Sequence, residues 1–94
     1  MGPGLGGNEA KVETLLRKAV TLDPKFADAH YQLGLLYADE EKVEPAIREL
    51  EAAVRLRPGL KNAHYRLSRL YALQGRTDLA RKELEVFKSL KEEK

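Results

Sequence analysis

The sequence predicts an all-α protein in which short antiparallel helices stack side by side, and three observations carry that prediction. The first is an internal repeat. Residues 27–60 laid over 61–94 give 12 identities in 34 positions, among them Ala29-His30-Tyr31 on Ala63-His64-Tyr65 and Leu36-Tyr37-Ala38 on Leu70-Tyr71-Ala72. A fixed period of this size marks one supersecondary unit used again, each copy covering the face its neighbour leaves bare. The second is composition: Ala, Glu, Lys, Leu and Arg supply 55 of the 94 residues, a balance that favours helices and leaves little for a sheet. The third is punctuation, because Pro24, Pro45, Pro58 and Gly75 break the run at intervals and exclude one continuous helix.

Each element follows from local signals. Met1 to Gly7 holds four glycines and a proline, so residues 1–8 are set apart as a flexible leader or cloning remnant, and residues 9–94 as the domain. Val12, Leu15, Leu16, Ala19, Val20 and Leu22 recur at helical spacing and predict a first helix over about Asn8–Leu22, ended by Asp23-Pro24. A second helix spans about Phe26–Ala38, with Ala29, His30, Leu33, Gly34, Leu36 and Tyr37 on its buried side, and a polar turn follows. The third covers about residues 44–57, with Pro45 in its first turn, where the missing N–H has no partner to lose. The fourth, about Lys61–Leu73, copies the second and is stopped by Gly75, which accepts the left-handed angle past a helix end. The fifth runs over about Leu79–Lys91, with Asp78 as its expected cap.

The first helix aligns on the same period: Leu16, Leu50 and Leu84 form one series, and Ala19, Ala53 and Phe87 another. It is therefore the second half of a unit whose first half is absent, and the chain divides into a half repeat at 9–24, a repeat at 27–60 and a C-terminal repeat at 61–94.

Net charge is only +2, too small to argue for nucleic acid, yet it is uneven. Residues 27–60 carry four basic and seven acidic groups, and residues 61–94 nine and five. With no cysteine there is no disulfide framework or thiolate site. No apolar run approaches a membrane span, so no membrane partner is expected. There is no Ser/His/Asp set, no glycine-rich phosphate loop and no isolated carboxylate pair, so the expectation is a non-catalytic protein without a cofactor. His30 and His64 are the only histidines and neither has a second ligand one helical turn away, which favours packing over a metal.

A 34-residue helix–turn–helix unit carrying Leu33-Gly34-x-x-Tyr37, Ala46 and Pro58, followed by Leu67-Ser68-x-x-Tyr71 and Ala80, resembles the tetratricopeptide repeat (TPR). The resemblance covers about residues 9–94 and implies a right-handed α-solenoid of five antiparallel helices, about two and a half repeats. It departs from the family where His30 and His64 stand in the place often held by Trp, and Leu50 and Leu84 in the place often held by Phe. The small residues have a steric reason: Gly34, Ser68, Ala46 and Ala80 lie where the two helices of a repeat cross, and close approach needs little side chain there.

The resemblance also implies a concave groove lined by the first helix of each repeat. It places Asp28, Tyr31, Gln32, Leu35, Ala38 and Asp39 there from one unit, and Asn62, Tyr65, Arg66, Arg69 and Leu73 from the next. Independently, Asn62, Tyr65, Arg66 and Arg69 are spaced so as to share one helix face. Guanidinium groups, phenols and an amide suit an extended acidic peptide, a partner helix or a carboxylate terminus. The bland reading makes Arg66 and Arg69 solubilising charges paired with Asp28 or Gln32. Some family members hold a chaperone's terminal carboxylate with a Lys, Asn and Arg set, of which only Arg66 matches.

The expected function is a protein-interaction scaffold using Tyr31, Gln32, Leu35, Asn62, Tyr65, Arg66 and Arg69. The alternative is a structural or oligomerisation segment that self-associates through its uncapped first helix. RNA binding through Lys61, Arg66, Arg69, Arg76 and the tyrosines is the weakest of the three. Ile47 and Val54 become Arg81 and Lys88 one period later, which reads as a capped C-terminal end, whereas Leu15 has no preceding partner, as in a piece cut from a longer array.

Overall fold

A computed structural model describes residues 3–93, and it is a row of five helices: α1 (Pro3–Leu22), α2 (Ala27–Asp39), α3 (Val43–Leu56), α4 (Lys61–Leu73) and α5 (Thr77–Glu92). Packing runs between consecutive helices, α1 on α2, α2 on α3, α3 on α4 and α4 on α5, in a body of 39 × 29 × 22 Å. This is the open stack that the period predicts.

Two boundaries differ from expectation. Helix α1 begins at Pro3 and not near Asn8, so the backbone of most of the expected leader is helical; proline at the first helical position loses no bond, because its N–H would have had no partner. Met1 and Gly2, the rest of that leader, lie outside the described residues. Asp78 is not the cap of α5: the helix starts at Thr77 after Arg76, with no side-chain cap bond, and Asp78 sits inside the first turn. There its carboxylate still complements the positive end of the helix dipole.

The turns within the two full repeats are built alike. After α2, Lys42 N–H donates to Tyr37 C=O at 2.9 Å and Glu41 N–H to Ala38 C=O at 2.9 Å; after α4, Arg76 donates to Tyr71 at 2.9 Å and Gly75 to Ala72 at 3.0 Å. This pair of bonds is the Schellman closure, and it requires a left-handed residue at its centre. Gly75 supplies it with φ of 76°, as expected, but its counterpart Glu41 adopts φ of 62° with a side chain attached.

The core lies between the repeats, where Ala46, Ile47 and Leu50 of α3 meet Ala63, Leu67, Leu70 and Tyr71 of α4, all buried. Tyr31, Tyr37, Ala38, Val43 and Val54 pack around it partly buried, so α4 sits in a groove made by α2 and α3. Gly34 is buried at the α2–α3 crossing beneath Leu50 and the Ala46 carbonyl. In the next hairpin Ser68 takes this place with a Cβ, its hydroxyl donating to the Tyr65 carbonyl at 2.6 Å. Among the described residues no helix is long and apolar enough to cross a membrane.

Candidate functional site

The two histidines are joints within the fold. In the first repeat the His30 Nδ1 lies 2.7 Å from the Glu49 carboxylate and its Nε2 lies 2.8 Å from the Pro24 carbonyl. In the second, His64 repeats this with Glu83 at 2.6 Å and Pro58 at 2.8 Å. Carboxylate and carbonyl oxygens only accept, so a ring with an N–H on both nitrogens meets both partners. Each ring ties the first helix of its repeat to the second and to the turn before it. In α1 the position of Glu49 and Glu83 is held by Leu15, which is 66% exposed. Sequence reasoning assigned the histidines to packing but missed their partners, although the His-to-Glu interval of 19 residues recurs in both repeats.

Polar bonds also link successive repeats. The buried Tyr71 phenol donates to the Glu51 carboxylate on α3, and the Arg76 guanidinium stands 5.0 Å from the Tyr71 ring centre. Burial pushes the Tyr71 phenol well above its ordinary pKa, and the bond to Glu51 adds to the rise. The Gln74 amide donates to Glu44 across the same seam, whereas Arg57 pairs with Asp28 at 2.9 Å within the repeat 27–60.

The expected groove residues fall on α2 and α4 with different surroundings. Tyr31 is half-buried against the core cluster, and Leu35 is half-buried as well. Gln32, Asn62, Arg66 and Arg69 are exposed. Tyr65 and Arg69 come together: the guanidinium donates to the phenol oxygen at 3.4 Å and stands 5.9 Å from the ring centre, while the other side of Tyr65 meets Phe87 at 5.1 Å between centroids. Among the described residues, no side-chain hydrogen bond or ion pair engages Gln32, Asn62 or Arg66. The alternative pairing of Arg66 or Arg69 with Asp28 does not form; Arg57 at the end of α3 holds Asp28 instead. Arg66 therefore keeps its donors free on the surface of α4.

Tyr65 and Arg69 also border a second feature. With Ala72 of α4 and Ala80, Arg81 and Leu84 of α5 they line a cleft of about 500 Å³ on the outer side of the last hairpin. A second hollow of about 400 Å³ lies at the other end, against Ala10, Lys11, Thr14 and Leu15 of α1.

Stacked helix pairs that bury a seam between repeats and leave donor-rich helix faces open define a helical-repeat, protein-binding scaffold. A family model described as tetratricopeptide repeat matches residues 31–88, and another described as TPR repeat matches residues 14–40; the chain belongs to the tetratricopeptide repeat family. Among solved structures, a crystal structure of MamA superposes with a TM-score of 0.85 at 27% identity, over 90% of this chain and 50% of that one. A second MamA structure gives 0.79 at 27% identity, over 89% and 46%. A chain of a CopN–Scc3 complex gives 0.86 at 24% identity, over 96% and 53%, a likeness of fold. The chain thus spans about half the length of these structures. No curated protein matches it.

Proposed function

We propose that the chain binds an extended acidic peptide, or the carboxylate terminus of a partner protein, along the faces of α2 and α4. The observation that carries this reading is the Asn62, Tyr65, Arg66, Arg69 set, which presents two guanidinium groups outside every ion pair among the described residues on the surface of one helix. Arginine holds carboxylates by paired, charge-assisted hydrogen bonds, and an amide beside it can take the peptide backbone. Gln32 and the half-buried Tyr31 and Leu35 extend the same surface onto α2 and supply contact with side chains between the carboxylates. The test is a peptide array of acidic and C-terminal sequences, probed with the chain and with Arg66→Glu/Arg69→Glu. Loss of capture by roughly tenfold or more in the variant is expected, since like-charge contacts are repulsive at an interface. Binding that persists unchanged ends the proposal. RNA binding is distinguished by a steep fall in affinity between low and physiological salt.

A second reading has its own observation: Val12, Leu15 and Leu22 of α1 are 47%, 66% and 76% exposed, an apolar stripe that a second copy of the chain would cover. Sedimentation of the chain and of Leu15→Lys decides it; a concentration-dependent dimer lost in the variant supports self-association, and a monomer at all concentrations removes it.

A further inference from the structure

The cleft beside α5 is the inner groove of the protein displaced by one repeat. Shifted back by 34 positions, its lining residues Arg69, Ala72, Ala80, Arg81 and Leu84 become Leu35, Ala38, Ala46, Ile47 and Leu50. Ala38, Ala46, Ile47 and Leu50 are residues of the groove in which α4 is seated. Alanine and leucine recur on the floor of the outer copy, while Ser68 and Thr77 stand there in place of Gly34 and Val43. What changes is charge: Leu35, the buried Ile47 and Val54 are replaced by Arg69 and Arg81, which line the cleft, and by Lys88, two turns further along α5.

These three cations carry no carboxylate of their own. Among the described residues none of the ion pairs uses Arg69, Arg81 or Lys88, although α5 also carries Glu83 and Glu85. Glu83 is turned to His64 and Glu85 is exposed. Arginine and lysine can lay their hydrocarbon stems along an apolar floor and keep their charges at the edge. A groove of this construction is selective in a way the inner one is not: its floor accepts a stripe of small and aliphatic side chains, and its rim requires negative charge on both sides of that stripe.

We infer that this outer groove docks an amphipathic acidic α-helix of a partner protein, seated as α4 is seated against α2 and α3. The occupant carries a narrow apolar stripe resembling Ala63, Leu67 and Leu70, flanked by glutamates or aspartates that meet Arg69, Arg81 and Lys88. This surface differs from the one proposed above, since it takes a folded helix and uses α5; Tyr65 and Arg69 belong to both.

The probe is a helix-stabilised peptide with the sequence of residues 61–73 in which Lys61, Arg66 and Arg69 are replaced by glutamate, which keeps the seating stripe and makes its flanks acidic. The unaltered sequence is the control. Titrated into the full chain, the acidic peptide is expected to bind roughly tenfold or more tightly than the control, and Arg81→Glu/Lys88→Glu is expected to erase that advantage. Backbone amide shifts should move at Ala80 and Leu84. Arg81 and Lys88 are both exposed, and Arg81→Gln/Lys88→Gln, which removes charge without reversing it, should give an intermediate loss. Equal binding of the two peptides, or an affinity that survives Arg81→Glu/Lys88→Glu, overturns the inference. Binding abolished by Arg66→Glu but not by the α5 changes assigns the peptide to the α2–α4 face, which upholds the proposed function and overturns this one. An oligomer of the chain alone that dissolves on Arg81→Glu puts a second copy in the groove and overturns it too.

Discussion

Gly34 lies so close beneath Leu50 that a Cβ built on it would stand 2.7 Å from the leucine Cγ and 3.3 Å from the Ala46 carbonyl oxygen. Leu50 is fully buried and has no room to withdraw. Gly34→Ala is therefore expected to destabilise the fold by about 1–3 kcal/mol, despite alanine's better helix propensity. For a domain of this size each kcal/mol lowers the melting temperature by roughly 4–8 °C. Leu50→Val should recover part of the loss in the double variant, and a thermal melt of the four proteins in that cycle measures it. An unchanged melting temperature in Gly34→Ala would show that the crossing is looser than described.

Glu41 and Gly75 occupy the same place in successive turns, both left-handed, but only one of them is glycine. A side chain in that conformation costs about 1–2 kcal/mol. Glu41→Gly should raise the midpoint of urea unfolding, and Gly75→Ala should lower it by a similar free energy. If both substitutions destabilise, local contacts of Glu41 outweigh its backbone strain.

The bonds of His64 to Glu83 and to the Pro58 carbonyl predict strong coupling. His64→Ala and Glu83→Ala should each cost about 1–3 kcal/mol, because each leaves a partner unmet, yet the double variant should cost little more than either alone. Additive losses would mean that the two side chains stabilise the hairpin independently.

Alkaline pH provides a separate handle on the α3–α4 seam. The Tyr71 pKa is raised in the folded state, so the fold retains that proton where the unfolded chain, with a phenol near about 10, has released it. The stabilisation is complete below that value and is lost as pH climbs through it toward the folded pKa. Denaturation followed between neutral pH and about pH 11 should show a steeper decline for the native chain than for Tyr71→Phe, which has no proton to lose. Parallel curves would contradict the assignment of the burial effect to this phenol.

Much of this architecture was legible in the sequence because the repeat compares the chain with itself. Leu33, Gly34 and Tyr37 against Leu67, Ser68 and Tyr71 gave the pairing of helices and the crossing point, and α4 came out at its observed bounds. What escaped depends on direction in space and not on spacing. Asp78 satisfied the chemistry of a cap but fell one position inside the helix, and glycines near Pro3 masked a helix start. The four residues assigned to one face of α4 share it by geometry, but side-chain reach divides them: Arg69 leans onto Tyr65 at the outer cleft while Arg66 stays free. Asp28 pairs with Arg57 of its own repeat and not with Arg66 or Arg69 of the next, a choice that spacing along the chain does not reveal.

The carboxylate that clasps each repeated histidine has no counterpart in α1, where Leu15 holds that register. A helix laid against this edge meets Leu15 beside Lys11 and Thr14, with no such clasp to dictate its angle, so covered area is what mainly holds it. Attraction of that kind is indifferent to orientation and slackens in the cold. The interior joints are thus keyed to one geometry, whereas the seam at α1 can accept neighbours at several tilts, tightening on warming where a keyed joint would not.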